Sequence, residues 1–397
     1  MRLGVSTQEY KRRTGIVLQK MKDDDLDAFV FWNNTSVLYL SGFEFIPTER
    51  PICIILGKDG KKTMFVPRLE VEHARETVEI SDATDYPEYP GATHPIHVLA
   101  QTLTKMGLRS SAIGCDGLGY GSSKGYRGPL LSDALPSAKF TVLRNLVEEI
   151  RAVKSEEEVG LIRESARWGN LAHALLQEGS KPGRSENEIA MEAALQATNT
   201  MVKTLGDSYD PHVSGGLEAS AGFRGQVGPN SALPHATGIN AVLKLGDVLV
   251  TYAGATVGGY LSELERTMFV GEPDLEQKRF FGFMREIQEA AFESIRPGRK
   301  CSDVDKAVRQ VYERRDLLDY WRHHTGHALG LLNHEAPFLD SGDDTVLTPG
   351  MVFSVEPGLY VPGLGGFRHS DTVLVTQGGM DIVTFYPREI ERLICGR

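Results

Sequence analysis

The chain has 397 residues, enough for two domains, and its 41 % hydrophobic and 24 % charged content is ordinary for a soluble globular protein. A formal net charge of −10 argues against a nucleic-acid partner, and no window approaches the roughly 20 apolar residues of a membrane span. The opening residues have no apolar core behind their basic positions, so no signal peptide is expected, and four scattered cysteines (Cys53, Cys115, Cys301, Cys395) read as reduced thiols of a cytoplasmic protein.

In chain order, residues 7–25 are polar and helix-like, with Tyr10, Val17, Leu18 and Met21 on one face. Short apolar runs with strand character follow at 27–32, 52–57, 62–67 and 110–116, with helical patterns at 69–80 and 95–107 between them. Strands alternating with helices predict an α/β domain over 1–153. The charged stretch 146–170 has helical periodicity, and the boundary is placed near Val153. The second domain, 154–397, opens with helices at 155–177 and 184–203, the latter offered Ser185 as its N-cap. Gly-rich strand-like segments run from His212 to Phe269, charged helices cover 274–295 and 302–316, and strands close the chain around 351–376. Helices outside a curved antiparallel sheet fit this order.

Three segments carry most of the functional signal: DVLVTYAGATVGGYLSELERTMFV at 247–270, GHALGLLNHEAP at 326–337 and FSVEPGLYVPGLGGFRHSDTVLVT at 353–376. Together they resemble the catalytic half of the creatinase/prolidase/aminopeptidase P family, whose C-terminal domain is the pita-bread fold. The first half resembles that family only in architecture, apart from the opening LGVSTQEYKRR at 3–13, which is similar to the start of bacterial creatinases.

The resemblance implies a site built on five metal ligands, two Asp, one His and two Glu, holding two ions in most members. Here Tyr252 stands at the first Asp position, Glu263 at the second, and Ser370 at the second Glu, while His327 and Glu356 match. Two divalent ions need several carboxylates to offset their repulsion, so the expectation is a site without a cofactor. The alternative is a single divalent metal such as Mn, Co or Zn on Glu263, His327 and Glu356, since one His with two carboxylates is a workable ligand set.

The acid–base residues point the same way. His235 matches the general acid/base histidine of creatinase, the metal-free member, and Glu265 stands where peptidases usually have Thr. On its own His235 reads as a structural loop histidine; the resemblance gives it the proton shuttle. The expected catalytic residues are thus His235, Glu265, Glu356 and His334. The expected substrate contacts are Arg50, Tyr252, Glu263, His323, His327, Arg368 and His369. His323 and His334 match histidines flanking the substrate in aminopeptidase P, and Arg50 matches an arginine that reaches the substrate carboxylate, often across a dimer interface. Arg50 reads equally as a surface residue, and Arg368 equally as a structural partner of Glu356.

The sequence therefore predicts a homodimeric, creatinase-like hydrolase of a non-peptide C–N bond in a small amidino, guanidino or cyclic amidine acid. Its carboxylates would bind the cationic group. A metal-dependent Xaa-Pro dipeptidase or aminopeptidase is the alternative, and an inactive binding module the third.

Overall fold

The computed structural model describes residues 3–77, 79–121, 124–211 and 217–396. The chain forms two compact units, one of Val5–Arg151 and one of Ala152–Arg397 together with the residues up to Gly4.

In the first unit, six strands among the described residues make one mixed sheet. Its centre is Ala28–Phe31, paired antiparallel with Cys53–Gly57 and parallel with Ala112–Cys115. All four central residues are buried, as a continuous apolar run requires of a strand covered on both faces. The helix Thr7–Asp23 starts at Ser6, whose hydroxyl accepts from the Glu9 amide at 3.2 Å. The helix expected over 69–80 is reduced to a 3₁₀ turn, Arg68–Glu70, and the six residues Val71–Glu76. A strand that polar residues conceal, Asp82–Tyr86, follows and pairs parallel with Lys62–Pro67. There the ladder outweighs propensity.

The helical stretch 146–170 forms two helices on either side of residue 153, Leu146–Ala152 and Glu156–Gly179, the second starting within a residue of the helix expected over 155–177. The Lys154 amide donates to the Gly350 carbonyl at 2.9 Å, and Ser155 with Glu158 forms a reciprocal capping box that starts the second helix. Lys154 is itself buried against Glu335, with Nζ 3.4 Å from the carboxylate.

The second unit is organised on a sheet of nine strands among the described residues. Its path runs from Tyr252–Val257 through Leu264–Glu265, Ser370–Thr376, Val352–Val355 and Gly326–Ala328 to Glu335–Leu339. Glu156–Gly179 packs on Tyr252–Val257, and Glu186–Leu205 on Ala219–Gly222. Glycine is needed at the first of these contacts, because a Cβ on Gly169 would meet the Gly254 Cα at 3.0 Å. Leu275–Ser294 and Cys301–Arg314 pack together, and the former also packs against the hairpin Gly358–Val361/Gly365–Arg368. The first residues of the stretch expected as strand, His212 to Gly216, lie outside the described residues.

Arg266 locks the middle of this sheet. Its fully buried guanidinium donates to Asp371 at 2.7 Å and to the carbonyls of Ser370, Tyr386 and Pro387 at 2.9, 3.0 and 2.8 Å. A buried arginine with its donors satisfied in this way fixes the strand pair that carries Glu263, Glu265 and Ser370. Among the described residues no helix is long and apolar enough to cross a membrane.

Candidate active site

Three strands of the second unit's sheet bring the first cluster together. Glu263 precedes Leu264–Glu265, and its amide and carbonyl both bond the Thr372 hydroxyl at 2.9 Å. His327 lies in Gly326–Ala328, opposite Ser354. Glu356 follows Val352–Val355, with its amide donating to the Thr325 carbonyl at 2.9 Å. One ligand atom from each of Glu263, His327 and Glu356 falls within 4.8 Å of the others.

The imidazole decides what this cluster wants. His327 Nδ1 faces the Ala328 carbonyl at 3.1 Å, and a carbonyl only accepts, so Nδ1 carries a proton. Nε2 lies 3.1 Å from Glu356 Oε1 but lacks the alignment of a hydrogen bond, and it has no other partner among the described residues. Nε2 therefore sits beside two carboxylates, an arrangement that calls for a cation there, either a proton on Nε2 or a metal ion in its place. The charge state agrees. Burial opposes ionisation of His327, yet Glu356 and Glu263 hold its pKa up at about 9. Burial and the charges of Glu356 and Glu265 push Glu263 up to about 7. Burial disfavours the Glu356 carboxylate too, but His327 and Arg368 pull its pKa well below the usual range. This set of a histidine and two carboxylates fits one divalent ion.

Around it lies a second layer. The Ser354 and Ser370 hydroxyls sit 2.6 Å apart and donate to Glu263 Oε1 at 3.1 and 3.3 Å. Glu265 is held by two guanidiniums: Arg368 grips both of its oxygens and Arg224 one. Arg368 also donates to the Tyr360 hydroxyl at 2.8 Å. Tyr360 lies 2.7 Å from His323 Nε2, whose Nδ1 faces the His324 carbonyl at 2.9 Å. His323 is thus neutral with its proton on Nδ1, in keeping with burial lowering its pKa. Arg224, Tyr252, Ser262, Glu263, Glu265 and Asn333 help to line a cavity of about 190 Å³.

His334 stacks on His327, with ring centroids 3.7 Å apart. Burial and the charges of His327, His324 and His235 outweigh the opposing pull of Glu356 and lower the His334 pKa, so it stays a neutral acceptor near pH 7. His235 itself is exposed. Tyr252 lies beneath the Arg224 guanidinium, 5.1 Å from ring centre to Cζ.

One expected contact is not brought to this cluster. His369, expected to touch substrate, is fully buried edge-on against Phe281, with ring centroids 5.3 Å apart and neither nitrogen bonded. Side chains alternate along extended chain, so Arg368 and Ser370 face the site while His369 faces the helix Leu275–Ser294. Arg50 belongs to the first unit, where it pairs with Glu49 and Glu88 at 2.7 Å. The sequence reading missed Arg224. Its signal is a lone arginine at φ 51° followed by a glycine, Arg224-Gly225, a tight loop that carries a large charged side chain.

Residues 160–377 match the family described as Metallopeptidase family M24, and residues 13–153 match the Creatinase/Prolidase N-terminal domain. The chain belongs to metallopeptidase family M24. It is a hydrolase of that peptidase family with the pita-bread fold. It is 31 % identical over 385 residues to the probable dipeptidase PepE of Mycobacterium tuberculosis, covering 96 % of each chain. Dipeptidase PepE from Mycobacterium ulcerans superposes with a TM-score of 0.80 at 28 % identity, over 98 % of both chains. The Xaa-Pro dipeptidase from Bacillus anthracis does so with 0.78 at 27 % identity, over 96 % of this chain and 99 % of the other.

These relatives overturn two expectations. The creatinase-like, non-peptide C–N hydrolase gives way to the peptidase alternative, because proteins matched along nearly their whole length are named dipeptidases. The expectation of no cofactor gives way to a divalent metal, because the family is one of metallopeptidases and Glu263, His327 and Glu356 converge as a ligand set. The expected cation pocket fails on geometry too: the Glu265 charge is already met by Arg368 and Arg224.

Proposed function

We propose that this M24 protein is a metal-dependent dipeptidase acting on Xaa-Pro dipeptides. The observation that carries the reading is the convergence of one ligand atom each from Glu263, His327 and Glu356 within 4.8 Å, a set that would hold a divalent cation. The chemistry such an ion supplies is Lewis acidity toward the scissile carbonyl. The dipeptide preference rests on the names of the relatives.

The chain's own residues divide the remaining work. Glu356, Glu263 and His327 bind the ion. His334, neutral and stacked beside His327, accepts a hydrogen bond from substrate, and exposed His235 exchanges protons with solvent and the leaving nitrogen. Arg368 holds Glu265 and, through Tyr360, the tautomer of His323. Arg224 is 44 % exposed on the cavity and shares its carboxylate partner with Arg368, so one guanidinium charge is left over for the substrate carboxylate.

Hydrolysis of Xaa-Pro dipeptides by manganese-loaded protein tests this. Turnover should disappear with a strong chelator and return with added manganese. Chelator-insensitive turnover of guanidino acids, with no dipeptide cleavage, would end the reading.

A further inference from the structure

The cluster that holds the cation in the reading above is not symmetric, and two positions around it carry neutral groups. Beside Glu263, where the family resemblance places a bridging carboxylate, Ser370 offers only a hydroxyl. That hydroxyl is tied to Ser354, and both bond the same Glu263 oxygen. In the cavity that Glu263 also lines, Tyr252 stands at an aspartate position. Its ring lies over Gly222 of the paired strand, where an added Cβ would meet Cε1 at 2.9 Å and the phenol oxygen at 3.1 Å. Arg224 covers the ring. The tyrosine is therefore seated: a glycine makes room for it and an arginine lies over it.

Charge counts in the same direction. Three carboxylates, Glu263, Glu265 and Glu356, face two guanidiniums, Arg224 and Arg368. Ionised, they carry one net negative charge, and His327 adds none when it binds a metal as a neutral ligand. One divalent ion leaves the cluster with a single positive charge. A second ion would leave a triple positive charge, with Glu218 the one further carboxylate lining that cavity among the described residues, against the usual logic of paired divalent ions.

Resting on the metal-dependent reading, we propose that this site holds one divalent cation, and that Tyr252, Ser354 and Ser370 occupy the position of a second. The protein is then a mononuclear variant of a fold built for two ions. Tyr252 and Ser370 are its specificity-determining residues toward metal number.

Metal counting on the full chain decides the matter. Chelator-treated protein is reloaded with excess manganese, desalted and assayed by elemental analysis, with electron paramagnetic resonance on the same sample. Wild type should retain close to one ion per chain and give the spectrum of an isolated ion. The double variant Tyr252→Asp/Ser370→Glu should retain close to two, with the exchange-coupled spectrum of a neighbouring pair. Two ions on wild type would overturn this inference while leaving the metal-dependent reading intact. No retained ion would overturn both. A folded double variant that still binds one ion would overturn the roles given to Tyr252 and Ser370, and if that variant does not fold, the wild-type count alone decides.

Discussion

Glu265 carries one negative charge and faces two guanidiniums, and this imbalance separates binding from proton transfer at the level of single residues. Arg368 is buried and needs the carboxylate as its counter-ion; Arg224 is half-exposed and does not. Substituting Arg224→Ala should raise KM for an Xaa-Pro dipeptide by roughly tenfold with little change in kcat, the signature of lost uniform binding. His235→Ala should do the reverse and lower kcat by about 10²-fold or more with a modest effect on KM. Steady-state kinetics on both variants check the division, with a dipeptide amide as control. The amide lacks the carboxylate, so Arg224→Ala should handle it as wild type does. A KM for the free dipeptide that Arg224→Ala leaves unchanged would remove the residue from substrate binding.

At the scale of elements, the helix Glu156–Gly179 is tied to the sheet through His173. The Thr251 hydroxyl donates to the Arg266 carbonyl at 3.0 Å, so it accepts from His173 Nε2 at 2.7 Å, and Nδ1 is left bare and unbonded. Burial, with the nearby Arg266 charge, lowers the His173 pKa from 6.5 to about 3. The folded state thus refuses a proton that the unfolded chain accepts below about 6.5, so stability contributed here is full above that pH and declines toward pH 3. Between about pH 7.5 and pH 5 this group alone should cost the fold roughly 2 kcal/mol. Chemical denaturation of wild type and His173→Gln, which keeps a donor for Thr251, measures it. The gap between the two proteins should shrink or reverse as pH falls across that range. A gap that stays constant would contradict the buried neutral histidine.

Elements also show what the sequence could and could not tell. Long apolar runs such as 27–32 and 52–57 read correctly as strands, because full burial leaves only hydrophobic residues in place. Asp82–Tyr86 did not, since its residues are polar and its pairing with Lys62–Pro67 is a tertiary fact. The start of Glu156–Gly179 was legible, as a helix expected from residue 155, but the burial of Lys154 was not, since it looks like a surface lysine until Glu335 is found beside it. In the site, His327, Glu263 and Glu356 were visible as motif positions and as one possible ligand set, while the distances among them needed the strands of the sheet in register. His369 was misplaced because motif alignment ignores strand parity, and the Glu265 charge was misread because Arg224 lies 41 residues away in sequence.

For the molecule as a whole, the family matches span both units, and the named relatives align over nearly the full chain. Tyr252, Glu263 and Ser370 depart from the family's ligand pattern at the cation cluster, so the question of activity reduces to whether that cluster loads and works. Chelator-stripped protein titrated with manganese, with bound metal and Xaa-Pro hydrolysis recorded at each step, answers it. Activity should be absent at zero occupancy and rise in proportion to bound metal, and Glu356→Gln should neither retain manganese nor cleave. Full dipeptide hydrolysis by the stripped protein, or none at full occupancy, would contradict the account.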